Sequence, residues 1–228
     1  MMKYLIIAAH PDDEILGCGG SIAKWTHEGN DVHILIMAEG ATSRDFQRDR
    51  NVKQTEISDL KSSAKAASKI LGVKSIDFAD YPDNRMDSID LLDVVKSVEN
   101  KIDLIEPDVV ITHHIGDLNI DHQIIHRAVT TACRPQPNQF VKFLLSFEVA
   151  SSTEWQSPSA NLNFNPNWFE DISSTLNLKL NALEVYSSEM RDWPHSRSLK
   201  AVDHLAKWRG ATVGIEAAEA FMLIKKIG

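Results

Sequence analysis

Short apolar runs, set apart by Gly, Pro and polar clusters, alternate with helical patterns along the first part of the chain. Tyr4-Leu5-Ile6-Ile7-Ala8 opens the series, and the pattern predicts a strand over 4–9. A helix is expected over 13–28, where Ile15, Leu16, Ile22 and Trp25 recur near the helical period. Gly29-Asn30 supplies its C-terminal chemistry. Val32–Met37 reads as a second strand, running into a loop that contains Gly40. A long polar helix over 50–71 stops at Gly72, and Ser75–Phe78 is a short third strand. Asp87–Ile105 is a helix with Leu91, Leu92, Val95, Val98, Ile102 and Ile105 on one face, ended by Pro107. Val109–Thr112 is a fourth strand, and His122–Cys133 a helix. Strands that alternate with helices imply crossover units and a parallel sheet. The expected class is therefore α/β: a Rossmann-like, mostly parallel sheet with helices on both faces. After Pro135-Gln136-Pro137 the pattern loosens. It predicts a strand over Phe140–Phe147, a polar loop over 151–168, a helix over Asp171–Ser187 and a last strand over Phe221–Ile227. Nothing repeats, and one domain over 1–228 is expected.

Bulk properties narrow the function classes. The net charge of -8 and the absence of a Lys/Arg cluster argue against a nucleic-acid partner. No run approaches the ~18 apolar residues of a membrane span. Met1-Met2-Lys3 leads straight into a strand, unlike a removable signal peptide. Cys18 and Cys133 make neither a disulfide framework nor a paired zinc motif, so a reducing cytoplasm is expected.

The chemistry concentrates at two strand ends. Ala9-His10-Pro11-Asp12-Asp13-Glu14 sits where the first strand gives way to a helix. His113, His114, Asp117, Asn119, Asp121 and His122 follow the fourth. In the common doubly wound order these two strands are neighbours at the switch point, and ligands bind beyond the carboxyl ends there. Imidazole and carboxylate together are a zinc-type donor set. The plain alternative is a polar turn with an Asp helix cap. The turn carries carboxylates where a dinucleotide fingerprint needs glycine, and would repel a pyrophosphate. Gly17, Gly19 and Gly20, inside the helix, are explained by close packing on the sheet.

These residues resemble the LmbE/PIG-L family of zinc-dependent de-N-acetylases. The resemblance rests on Ala9–Glu14 followed by Leu16-Gly17-Cys18-Gly19-Gly20, on Asp121-His122, and on Arg209-Gly210, Gly214 and Ala218-Glu219-Ala220-Phe221. It implies that His10, Asp13 and His122 hold one Zn2+ per chain, with another divalent metal as the alternative. It also implies that Asp12 is the general base and that acetyl is removed from an N-acetylated amino sugar or its conjugate. Adjacent side chains diverge, so Asp12 and Asp13 do not easily share one ion; two nitrogens and one carboxylate leave a position open. The family often has His-Pro-Asp-His in the second motif, where this chain has Asn119-Ile120-Asp121-His122. Asn119 can donate to an oxyanion but cannot lend a proton, and His114 is the expected substitute or helper. Glu14 and Asp117 are expected to back the ligands, Asp117 by orienting an imidazole or as a turn residue.

The rim is less defined. Arg44, in Glu39-Gly40-Ala41-Thr42-Ser43-Arg44, could bind phosphate or carboxylate or be a solvated loop charge. Asn84 and Arg85 follow the third strand and are expected to meet substrate from further out, in the run Asp83-Asn84-Arg85-Met86-Asp87. His126 reads as structural, and His195 and Arg197 as lid candidates. Of His113 and His114, His114 is favoured to face the site. Trp155 and Trp168 could line a lid or a homo-oligomer interface. Two rival readings stay open: a non-catalytic sugar- or nucleotide-binding module, and a hydrolase of a different amide.

Overall fold

The computed structural model describes every residue except Asn138, Gln139 and Ala160. The strands among the described residues are β1 (Lys3–Ala8), β2 (Asp31–Ala38), β3 (Ser75–Tyr81), β4 (Val109–His113), β5 (Phe143–Phe147), β6 (Trp168–Asp171) and β7 (Ala218–Lys226). The α-helices among them are α1 (Asp13–His27), α2 (Gln54–Ile70), α3 (Leu91–Ile105), α4 (Ile120–Ala132), α5 (Leu176–Glu184) and α6 (Leu199–Ala211). The sheet order is β3-β2-β1-β4-β5-β7-β6. Strands β1 to β5 run parallel, and β7 is antiparallel to both β5 and β6. This is the mostly parallel α/β sheet that the alternation predicts.

The period-two alternation of a strand divides the core. Ile6 and Ala8 of β1 join Ile34, Ile111 and buried residues of α1, α2, α5 and α6. Leu5 and Ile7 point the other way, with Leu35, Val110 and the apolar faces of α3 and α4. Both sheet faces are thus covered, as the continuous apolar character of β1 and β4 requires. A Cβ at Gly17 would lie 2.3 Å from the Phe147 ring, so a side chain there would push α1 off β5.

The last third departs from expectation. The fifth strand begins at Phe143, not Phe140. Asp171, expected in a helix, ends the edge strand β6, and the helix itself starts only at Leu176. Four residues of β6, none fully buried, carry too little alternation to announce a strand; its pairing comes entirely from β7. Helix α6 was not expected, because only Val202, Ala206 and Gly210 of it are buried. Arg209 fastens it to the end of β5 through two bonds to Glu148, of 2.7 and 2.6 Å.

Helix α1 is broken at Cys18, whose φ of -147° leaves the helical range. In an unbroken helix the Gly20 N–H would donate to the Leu16 carbonyl. Here Gly20 and Ser21 donate to Glu219 at 2.9 and 2.7 Å, and Lys179 Nζ donates to the Leu16 carbonyl at 2.8 Å. Lys179 and Glu219 are themselves paired at 2.6 Å and buried. One ion pair from α5 and β7 therefore satisfies both sides of the break, as buried backbone groups require.

Candidate active site

Because β1 and β4 are adjacent, their carboxyl ends bring the two polar segments together. His10, Asp13 and His122 each offer a ligand atom, all within 4.8 Å of one another. Asp13 Oδ2 lies 3.2 Å from His10 Nδ1 and 3.1 Å from His122 Nε2. Asp13 Oδ1 and His122 Nε2 are buried and have no hydrogen-bond partner among the described residues. Unpaired buried polar atoms of this kind are rare in a folded chain, and a cation would satisfy both. The donor set therefore fits a metal ion.

Each imidazole is backed by carboxylate. With its proton on Nε2, His10 donates to Asp121 Oδ2 at 3.0 Å, and Asp83 Oδ1 lies 3.2 Å from the same nitrogen. That leaves Nδ1 for the cluster, the arrangement by which outer carboxylates fix a ligand tautomer. Asp121 is held in turn by the backbone N–H groups of Asn84 and Met86, at 2.6 and 3.0 Å. His122 Nδ1 lies 3.1 Å from Asp117 Oδ1, a close charge contact not aligned as a hydrogen bond. Asp117 also accepts from Ser152 and, at 2.7 Å, from Thr153. Burial alone would lower His122, but Asp13 and Asp117 raise it to about 9. Burial opposes the Asp13 carboxylate, yet His122 and His10 hold it well below the usual carboxylate range. Burial works in the same sense on Asp83 and Asp117, and their histidine partners bring each down to about 2. The site thus gathers negative charge and holds positive charge.

Asp12 stands at the N-terminal boundary of α1 with φ at 120°, a strained value for a residue with a side chain. Its N–H donates to Glu14 Oε2 at 3.0 Å, and Glu14 Oε1 accepts from the Tyr186 hydroxyl at 2.6 Å. Asp12 Oδ2 accepts from Arg197 Nη1 at 2.9 Å, while Oδ1 is buried without a partner among the described residues. Burial pushes this carboxyl well above the usual range, and Arg197 opposes the shift.

The other expected residues separate. Asn119 caps α4, its Oδ1 accepting from the Asp121 N–H at 2.9 Å, and its Nδ2 donates to Asn84 Oδ1 at 2.8 Å. His113, not the expected His114, lies against the cluster. Its Nε2 accepts from the Ala9 N–H at 2.8 Å, and its ring stacks on His122 with centroids 3.8 Å apart. Successive residues at the end of a strand point to opposite sides, so His114 turns away, its Nε2 3.0 Å from the Leu162 carbonyl and its ring beside Phe164. His126 Nδ1 meets the His113 carbonyl at 2.8 Å, a structural contact. Arg44 Nη2 donates to Glu189 at 2.6 Å with its side chain 44% exposed, and Arg85 donates to the Phe46 carbonyl at 3.4 Å. Sequence reading placed Asp83 at the outer rim and Arg197 in a lid; the fold brings both to the centre. The available signal for Arg197 was electrostatic: Asp12, Asp13 and Glu14 crowd one turn and call for a guanidinium.

Residues 5–133 match the GlcNAc-PI de-N-acetylase family, PIG-L. The chain is 30% identical over 190 residues to the uncharacterized deacetylase YaiS of Escherichia coli K12, covering 81% of this chain and 90% of that protein. It is 28% identical over 201 residues to the diacetylchitobiose deacetylase of Thermococcus kodakarensis, covering 82% and 70%. Among solved structures, GalB, the 4-carboxy-2-hydroxymuconate hydratase of Pseudomonas putida KT2440, superposes with a TM-score of 0.79 at 20% identity, over 100% of this chain and 98% of that one.

Proposed function

The chain belongs to the GlcNAc-PI de-N-acetylase (PIG-L) family, and we propose that it is a zinc-dependent hydrolase removing acetyl from an N-acetylated amino sugar or its conjugate. The convergence of His10, Asp13 and His122, with Asp13 Oδ1 and His122 Nε2 buried and unpaired among the described residues and a partly free Asp12 carboxylate nearby, carries this reading. His10, Asp13 and His122 hold the ion. Zinc in a three-ligand site supplies Lewis acidity, bringing the pKa of water to ~7 and polarising a carbonyl.

The chain's own groups do the rest. Asp12 takes the proton of the attacking water at Oδ1, the oxygen with no partner, and returns it to the nitrogen as the C–N bond breaks. Water oxygen ends in acetate and the proton on the free amine. Asn119 has two amide N–H groups, and Asn84 accepts only one of them. The second is the donor we assign to the developing oxyanion. His114, committed to Leu162, takes no part. Arg44, half exposed, Asn84 and Arg85 are the groups assigned to meet the sugar or its substituent. The whole chain acts as one catalytic domain. Its two free, buried cysteines suit a cytoplasmic setting, and no helix among the described residues is long and apolar enough to cross a membrane.

The test is metal analysis of the purified protein beside acetate release from a panel of N-acetylglucosamine derivatives. Zinc near one per chain and chelator-sensitive acetate release are expected. Asp12→Asn should keep the metal and lose ~10²–10⁴ in kcat. Absence of metal, or addition of water to an unsaturated carboxylate without acetate release, would overturn the reading.

A further inference from the structure

Asp12 is gripped at both ends, and the grip on its side chain comes from far along the sequence. Arg197 Nη1 donates to Asp12 Oδ2 at 2.9 Å, and Arg197 Nε donates to Ser151 Oγ at 2.7 Å. The same Nη1 lies 3.8 Å from Glu189 Oε2, while Glu189 Oε1 accepts from Arg44. One guanidinium thus joins the turn after β1, the segment after β5 and the segment after α5. Asp12 Oδ1, by contrast, accepts nothing among the described residues.

We propose that Arg197 is a positioning residue: it clasps segment 185–198 onto Asp12 and pins Asp12 Oδ2, so that Oδ1 alone is presented for proton transfer. The catalytic half rests on the deacetylase reading; the clasp does not. A guanidinium is planar and presents its N–H groups in a fixed fork, whereas an ammonium is a point charge. Ser151 and Glu189 hold the plane of that fork, and the fork sets the direction of the carboxylate as well as its distance. A carboxylate free to turn would spend much of its time misaligned, and small misplacements near reacting atoms are costly.

Hydrogen exchange on the zinc-loaded protein reads the clasp, and kinetics read the alignment. Arg197→Ala is expected to speed exchange over 185–198 by about tenfold or more, the loss of a charged hydrogen bond. Asp12→Ala should loosen the same segment, and the double variant should add little, since both remove one contact. Metal content should stay at the wild-type level in each. With any derivative that yields acetate, Arg197→Ala should lower kcat ~10²-fold with little change in KM. Arg197→Lys should fall between, and guanidinium in the buffer should restore part of the loss in Arg197→Ala but not in Asp12→Ala. Unchanged exchange over 185–198 would overturn the proposal. So would loss of metal, or a raised KM at unchanged kcat, which would make Arg197 a structural support or a substrate contact. If the wild-type protein releases no acetate but the exchange pattern appears, the clasp stands and the deacetylase reading falls.

Discussion

Glu219 is the residue whose removal should test the architecture most severely. It accepts from the Gly20 and Ser21 N–H groups and from Lys179, at a point where helix α1 makes no bond of its own. Glu219→Ala leaves two buried N–H groups without their acceptor and a buried ammonium without its counter-charge, held by the Leu16 carbonyl alone among the described residues. Removing one partner of a buried ion pair costs about 3–5 kcal/mol, and each orphaned polar group about 1–3 kcal/mol. These terms overlap, because water entering the vacated space satisfies part of the loss, so the net expectation is about 4 kcal/mol. That approaches the whole stability of a domain near the lower end of the ~5–15 kcal/mol range. Glu219→Gln is the gentler form, keeping one carbonyl acceptor but turning an N–H₂ toward donors, at a cost of about 2–3 kcal/mol. Guanidinium denaturation of the zinc-saturated protein, followed by tryptophan fluorescence, measures both; Trp25, in the core with its ring stacked on Tyr4 and tilted against Phe221, reports the transition. Lys179→Met removes the charge that Glu219→Gln leaves unbalanced, so the double variant should be about 1–2 kcal/mol more stable than the summed single losses imply. A cost below about 1 kcal/mol for Glu219→Gln, or strict additivity in the pair, would refute the idea that this ion pair bridges the break.

Three further outcomes follow from the site. Asp117→Asn should weaken zinc binding about 10–100-fold, because Asp117 lies against His122 Nδ1; competition with a chromogenic chelator reads it, and unchanged affinity would leave Asp117 a loop-bracing residue only. Asn119→Asp keeps the acceptor that caps α4 but removes the Nδ2 donor, so Tm should hold while kcat falls about 10²-fold; an unchanged kcat would remove Asn119 from the chemistry. Burial pushes the Cys133 thiol up to about 12 and Cys18 well above the usual thiol range, so neither should react with a thiol reagent at pH 8 before unfolding; labelling of the native protein would contradict their burial.

What could be read in advance was what the chain encodes locally. The runs at β1, β2 and β4 are apolar enough to be buried on both faces, and Gly29-Asn30, Gly72 and Pro107 punctuate the helices between them, so element type followed from periodicity alone. With β1 and β4 as neighbours, the His10–Glu14 turn and the Asp121-His122 pair meet at one sheet edge. The misread parts are those whose structure is supplied from elsewhere in the chain. β6 is a strand because β7 pairs with it some fifty residues later, and α6 stays in place through Arg209 and Glu148 more than through an apolar stripe. The same division runs through the site. His10, Asp12 and Asp13 share one turn and announce themselves. Asp83 reaches His10 because β3 carries it to the same edge, and Arg197 reaches Asp12 across 185 positions. Spacing cannot signal such contacts, but charge can. Three adjacent buried carboxylates need positive charge supplied from outside their own turn: the imidazoles provide it to Asp13, and Arg197 to Asp12. The segment after α5 therefore reaches Asp12 through one guanidinium, and the weakest of the sequence motifs, Ala218–Phe221, bears on the site through Glu219 by holding together the helix on which Asp13 and Glu14 stand.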